Sequence, residues 1–280
     1  MNSKYELFLN NCKIHMDFIN FPAGEKHVRL FNVSSFVTPT NTVTINAHVF
    51  DGDIMMIGLI KDAIERELIG KVNVFKLFIP YLPYGRQDRV AVPGESFSLK
   101  VFCNFINGLN FDQVEIADYH STVSPSLLNN VVCRTYTAEL LLERDDGIAT
   151  FIRKNFKNMV YISPDLGAVK RTCKFAGLGD EADILIGLKN RDPKTGYITN
   201  YNLIKGANVT VTSSSQFLVV DDICDGEATF EILADSLKQQ YPGVGVSMIV
   251  THGIFSKGKE KLQSKYDNVF AIFDYPEITK

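Results

Sequence analysis

The sequence predicts an α/β protein with mainly parallel sheets, and three observations carry that reading. Short apolar runs rich in Val, Ile and Phe alternate with longer segments of helical length. Several of these runs end in a polar cluster: 80–89, 118–121, 163–167 and 221–229. In doubly wound sheets, ligands collect at such carboxyl ends of strands. The run Phe217–Val220 is wholly apolar, as expected of a parallel strand buried on both faces.

In chain order, β-branched and aromatic enrichment predicts strands at Leu7–Leu9, Val43–Val49, Val72–Phe78, Val114–Ile116 and Val131–Arg134. The same signal predicts strands at Met159–Ile162, Ile184–Gly187, Phe217–Val220 and Val244–Val250. Helices are predicted between them, at Asp53–Leu68, Phe97–Ile106, Ser124–Leu128, Ala138–Glu143 and Gly147–Asn155. Three more follow, at Gly167–Phe175, Thr229–Gln240 and Gly258–Lys265. A boundary near Ala138–Gly147 gives two halves of similar length and pattern, 1–140 and 141–280.

Composition narrows the function classes. The 280 residues suffice for a large core, and 45% hydrophobic with 22% charged residues suits a soluble globular protein. With 29 basic and 32 acidic residues the net charge is −3, which gives no reason to expect a nucleic acid or an anionic membrane as partner. Met1–Phe8 lacks a signal-peptide core, and the apolar run Ile54–Ile60 is far short of the ~20 residues of a membrane helix. Five scattered cysteines without a CxxC pair read as small buried side chains in a reduced cytoplasm.

The strand-end clusters carry the chemistry. Asp221 and Asp222 close an apolar strand, and Asp225, Gly226, Glu227, Ala228 and Thr229 lead into a helix. Such a strand-loop-helix turns backbone N–H groups and a helix N-terminus towards an anion. Paired acids beside it suit a ribose diol. The loop Tyr81–Arg89, stiffened by proline, displays Arg86, Gln87 and Asp88; arginine clasps polyphosphate bidentately and glutamine bonds a base or phosphate. Asp118 and His120 follow another strand, and Asp165 follows a third, where a carboxylate meets Mg²⁺ or caps the next helix. Lys189 and Arg191 place two cations on a charged turn, able to stabilise a transferring phosphoryl group.

Together these motifs resemble the ribose-phosphate pyrophosphokinases (phosphoribosyl pyrophosphate synthases), from Phe21 to about Gly258. The segment 83–89, Pro-Asp-x-Gly at 164–167, Lys-x-Arg-Asp at 189–192 and Asp-Asp-Ile-x-Asp at 221–225 stand in the family's order. Segments 94–100 and 251–258 look most like a shorter bacterial and phage branch linked to nicotinamide salvage.

The resemblance implies two tandem phosphoribosyltransferase-type domains, the first ATP-binding and the second ribose-phosphate-binding. It implies transfer of the β,γ-diphosphate of magnesium ATP to the anomeric hydroxyl of ribose 5-phosphate, with release of AMP. By motif match, Arg86, Gln87, Asp88 and His120 hold ATP, and His120 and Asp165 meet the magnesium. Lys189, Arg191 and His120 are catalytic. Asp221, Asp222 and Asp225 read the ribose, and Gly226 to Thr229 hold the 5-phosphate. Phe21 and Glu25 contact adenine from a neighbouring subunit, which implies a homo-oligomer, a dimer or a hexamer built from dimers.

The chain departs from the family pattern at three places. Ala23 stands where many members have Asp, and the segment after His120 lacks the usual Gly-Phe-Phe. Glu227 stands in the sugar-phosphate loop, where a carboxylate about 4 Å from a phosphate costs roughly 4 kcal/mol at an effective dielectric of about 20. Either it points to solvent, or the loop is remodelled for an acceptor such as ADP-ribose, giving the 1-diphosphate for NAD rebuilding. Two other classes are a non-catalytic regulatory paralogue and an ordinary phosphoribosyltransferase. Lys189, Arg191, His120, Asp165 and Asp225 argue against the first, and the motifs Arg86-Gln87 and Lys189-x-Arg191 against the second.

Overall fold

Tyr5, Leu7 and Leu9 of β1 (Tyr5–Leu9) and Val43, Ile45 and Ala47 of β4 (Thr42–Ala47) are buried, with half-buried residues between them. A strand period of two sends alternate side chains to one core. In the computed structural model, which describes residues 4–49, 53–179, 183–191 and 198–275, these strands belong to the first of two units, Met1–Thr135 and Tyr136–Lys280.

The first unit has a seven-stranded sheet in the order β3-β2-β1-β4-β5-β6-β7. Its other strands are β2 (Cys12–Asn20), β3 (Lys26–Phe31), β5 (Val74–Phe78), β6 (Gln113–Ala117) and β7 (Val131–Arg134). Pairing is parallel from β4 to β7 and antiparallel from β3 to β4. Helices α1 (Met55–Glu67) and α2 (Ser98–Gly108) turn Ile57, Ile60, Ile64, Leu99, Phe102 and Ile106 into its core. A short α3 (Val123–Leu127) follows β6.

The second unit carries a six-stranded sheet, β10-β9-β8-β11-β12-β13. These strands are β8 (Met159–Ser163), β9 (Leu185–Arg191), β10 (Ile198–Lys205), β11 (Gln216–Cys224), β12 (Gly245–Gly253) and β13 (Asn268–Asp274). All pairings are parallel except the β9–β10 hairpin. The sheet is covered on both faces, which explains the unbroken apolar run in β11. Phe217 and Val219 join the core built with α7 (Ala228–Gln240) and α8 (Glu260–Lys265). Leu218 and Val220 join the opposite core, with α4 (Ala138–Leu141), α5 (Gly147–Asn155) and α6 (Val169–Ala176). The α/β class with mainly parallel sheets is therefore observed.

Differences from expectation are local. The strands β2, β3, β10 and β13 were not anticipated. In β2 and β3 most residues are exposed, so no apolar alternation announces them. The unit division lies at 135/136, and α4 packs whole on the second core through Ala138 and Leu141. The cysteines are not uniformly buried: Cys103 and Cys224 are, whereas Cys12 and Cys133 occupy outward positions on β2 and β7.

Candidate functional site

In the first unit the chain leaves β5 through Pro80, with Tyr81 and Leu82 buried, and turns sharply at Tyr84 and Gly85. Tyr84 has φ 62°, and a Cβ on Gly85 would lie 3.2 Å from the Leu82 carbonyl. Gln87 N–H donates to the Tyr84 carbonyl at 2.8 Å, which closes the turn. Beyond β6 the chain turns at Asp118, with φ 35°, and its N–H donates to the Arg134 carbonyl at 2.9 Å.

These two turns face each other across a cleft of about 770 Å³. Arg86, Gln87, Asp88 and His120, thirty-odd positions apart in sequence, line it together with Arg89, Glu95, Ser96, Ser98, Ser121 and Thr122. The volume lies within the ~300–1,000 Å³ of small-molecule sites. Arg86, Gln87 and His120 are exposed within it. Asp88 differs: its carboxylate accepts from Arg89 Nε at 2.8 Å and Nη2 at 3.1 Å. Those bonds, then one from Ser121, hold the Asp88 carboxyl below its ordinary range. It organises the turn and orients Arg89. Glu95 Oε2 similarly ties the 91–95 loop, accepting from the N–H groups of Ala91 and Val92.

Phe21 and Glu25 sit elsewhere on this unit, in the exposed turn joining β2 to β3. Phe21 N–H donates to the Glu25 carbonyl at 2.8 Å, and Gly24 supplies the positive φ of 90° the turn needs. The Phe21 ring is 47% exposed and 6.4 Å from the His27 ring.

In the second unit, Asp165 follows β8 in extended backbone and caps a one-turn 3₁₀ helix (Leu166–Ala168). Its Oδ1 accepts from the N–H groups of Gly167 at 2.8 Å and Ala168 at 3.2 Å, and its Oδ2 accepts from Lys189 of β9. The capping expected of this residue and a second, ionic role thus coexist. Arg191 ends β9, and its side chain lies outside the described residues, as does the rest of the charged turn, 192–197.

Tyr201, directly opposite Lys189 on β10, donates its hydroxyl to the Pro164 carbonyl at 2.8 Å. Burial, then the charges of Asp165 and Asp221, push its phenol well up. Burial and the adjacent Asp222 likewise raise the Asp221 carboxyl, with Asp165 adding to the effect. Sequence reasoning missed Tyr201, because a single tyrosine in a polar strand gives no signal until the hairpin sets it opposite the 164–165 turn.

The paired acids separate. Asp221 continues the side of β11 that faces Tyr201, whereas Asp222 is 4% exposed and pairs with Arg171 of α6 at 3.7 Å. Asp222 is held by the scaffold, while Asp221 belongs with Asp165 and Tyr201. Gly226 and Ala228 are exposed, and α7 starts at Ala228, so its first-turn N–H groups point back at the loop. Thr229 is buried in that turn. The segment after β12 braces the loop: the N–H groups of Ile254 and Phe255 donate to the Cys224 carbonyl at 2.9 and 3.0 Å, and Ser256 Oγ meets the Asp225 carbonyl at 3.4 Å.

Glu227 does not point to solvent. It is 2% exposed, and neither carboxylate oxygen has a hydrogen-bond partner. Desolvation, then the charge of Glu231, raise its carboxyl above the usual range, while Lys261 of α8 opposes them. The side chain is therefore withdrawn from solvent, with Glu231, Glu260 and Lys261 as its electrostatic neighbours.

The donor set can be tested against a magnesium ion. Hard carboxylate oxygens are present at Asp165 and Asp221, near enough to influence each other. Among the described residues no group of three or more His, Cys, Asp or Glu could hold a metal by itself. A cation meeting Asp165 would take most of its other ligands from water and phosphate oxygens. His120 lies in the first unit and Asp165 in the second. Burial pushes the Cys103 thiol up to about 12 and Cys224 higher still, which disfavours the thiolate at these two positions.

Two α/β units with ligand-type loops at their strand ends define the phosphoribosyltransferase type of fold, as a tandem pair. The comparisons then point to one group. The chain is 26% identical over 260 residues to the ribose-phosphate pyrophosphokinase of Pyrococcus abyssi, covering 92% of this chain and 83% of that protein. It is 28% identical over 264 residues to the enzyme of the same name from Pyrococcus furiosus, covering 91% and 84%. The crystal structure of phosphoribosylpyrophosphate synthetase from Mycobacterium smegmatis superposes with a TM-score of 0.67 at 18% identity, covering 92% and 80%, and shares the fold. No protein-family model matches the chain. The resemblance read from the motifs therefore extends over nearly the whole chain.

Proposed function

We propose that this protein is a magnesium- and ATP-dependent diphosphokinase that makes phosphoribosyl pyrophosphate from ribose 5-phosphate. One observation carries the reading: Arg86, Gln87, Asp88 and His120 converge on a single polar cleft. The likeness to named ribose-phosphate pyrophosphokinases over nine-tenths of the chain supports it.

In the proposed reaction the anomeric oxygen of the ribose attacks the β-phosphorus of ATP. A new P–O bond forms there, the bond from the β-phosphorus to the α–β bridging oxygen breaks, and AMP leaves. The hydroxyl proton passes to solvent or a nearby base. Such transfers need in-line positioning and charge stabilisation rather than a covalent intermediate. Arg86, Gln87 and His120 are assigned to the ATP phosphates and base, with Asp88 setting the turn that presents them. Lys189 and Arg191 are assigned to the charge on the transferring group. Asp221 and Asp225 are assigned to the ribose hydroxyls, and the N–H groups of 226–229 to the 5-phosphate. Magnesium, held by Asp165 and the nucleotide, would neutralise phosphate charge. Phe21 and Glu25, displayed on an exposed turn, are assigned to a neighbouring subunit's adenine in a homo-oligomer. The reading places the protein in the cytoplasm.

ADP-ribose as acceptor, and with it a role in nicotinamide salvage, is the second reading; its motive was a Glu227 carboxylate facing the ligand, and the burial of Glu227 weakens that motive. Ribose 5-phosphate is therefore the preferred acceptor. The test is AMP release from ATP and Mg²⁺ with ribose 5-phosphate, with ADP-ribose and with no acceptor. The reading requires the first to be fastest. Faster turnover of ADP-ribose would reassign the acceptor, and no AMP with either would leave a nucleotide-binding regulator.

A further inference from the structure

Asp165 divides its two oxygens between different kinds of partner. Oδ1 is fixed by two backbone N–H groups, from Gly167 and Ala168. Oδ2 takes the Lys189 ammonium, with side-chain exposures of 25% and 23% for the acid and the lysine. Across the hairpin, Tyr201 sits opposite Lys189 and donates to the Pro164 carbonyl at 2.8 Å. The β9–β10 hairpin thus rests on the 164–165 turn through one neutral contact to main chain and one ionic contact to Asp165. The neutral contact can persist when the ionic one is exchanged.

The ionic contact occupies the oxygen that a metal would need. A hard divalent cation approaches a carboxylate oxygen to about 2.1 Å, which excludes an ammonium from the same lone pair. Cation and ammonium therefore compete for Oδ2.

We propose that Lys189 is a placeholder: without nucleotide its ammonium neutralises Asp165, and an arriving metal–nucleotide displaces it and frees it for the phosphoryl groups. The inference rests on the assignment of Asp165 to the cation. It implies that bare cation binds poorly, because it must break the ion pair without compensation. A metal–nucleotide offers the released lysine a new anionic partner. By linkage, lysine release and cation binding then favour each other.

The test is Mn²⁺ binding to the full-length, nucleotide-free protein, with free Mn²⁺ followed by electron paramagnetic resonance. Lys189→Met is expected to bind Mn²⁺ about three- to fivefold tighter than the parent, the scale of a partly screened ion pair. Lys189→Arg should resemble the parent, and Asp165→Asn added to Lys189→Met should erase the gain. If Lys189→Met binds Mn²⁺ no tighter while Asp165→Asn weakens Mn²⁺–ATP binding, Asp165 meets the cation but the placeholder inference is overturned. If Asp165→Asn changes neither measurement, the assignment of Asp165 fails and the inference with it.

Discussion

The hydroxyl of Tyr201 donates to the carbonyl of Pro164 at 2.8 Å, one residue before the acid that holds Lys189. This contact needs a glycine beneath it. A Cβ on Gly187 would lie 2.0 Å from the Tyr201 oxygen and 2.6 Å from the Pro164 carbonyl. Gly187→Ala must therefore expel the tyrosine, at a cost of about 1–3 kcal/mol of stability. Tyr201→Phe keeps the ring and loses one hydrogen bond, costing about 1 kcal/mol. Denaturant midpoints should rank the parent first, Tyr201→Phe second and Gly187→Ala third. Equal midpoints for Gly187→Ala and the parent would show that the hairpin is not seated on this turn.

Lys189→Ala should lower turnover by a factor on the order of 10² or more with little change in KM for ATP, if its charge acts on the transferring group as proposed. Single-turnover kinetics would check this. An unchanged rate removes Lys189 from the chemistry.

The neighbouring acids Asp221 and Asp222 should fail in different ways. Asp222→Ala removes the ion pair that the mostly covered Arg171 side chain makes at 3.7 Å. It should cost about 1–3 kcal/mol of stability, less than a fully buried pair because Arg171 is partly solvated. Asp221→Asn should instead raise KM for the ribose acceptor with a smaller stability change. Thermal melts alongside acceptor titrations separate the two, and the reverse pattern would exchange their roles.

Glu227 gives a pH-dependent prediction. A carboxyl raised above its unfolded value contributes stability at a pH below the unfolded value, and that stability is lost as pH rises through the folded value. At pH 7 the parent therefore carries the cost of a buried, unpartnered carboxylate. Glu227→Gln should raise Tm at pH 7 by about 2–4 °C, and the gain should disappear near pH 4, below the ordinary glutamate range. A gain independent of pH would locate the effect in packing rather than charge.

The sequence carried the fold where burial is strong. The β11 run and the helices Gly147–Asn155 and Ala228–Gln240 were legible because apolar pattern and polar punctuation agree there. The β2–β3 hairpin was not, since most of its residues face solvent and leave no apolar alternation. The candidate site was legible as residue types at strand ends. What each atom does was not: Asp88 is engaged by Arg89, Asp222 by Arg171, and Asp165 by its own turn and by Lys189. Arg171 and Lys189 come from other elements of the fold, and which neighbour in its own loop an acid engages depends on the backbone turn. The orientation of Glu227 was left open for the same reason, because its electrostatic neighbours include Glu260 and Lys261, more than thirty positions away.

The central claim is diphosphoryl transfer to an anomeric hydroxyl. The most direct measurement is the mass of the products formed from ATP, Mg²⁺ and ribose 5-phosphate. The account predicts a ribose phosphate carrying two added phosphoryl groups and an equal amount of AMP. ADP with a singly phosphorylated product, or no product beside unreacted ATP, would contradict it.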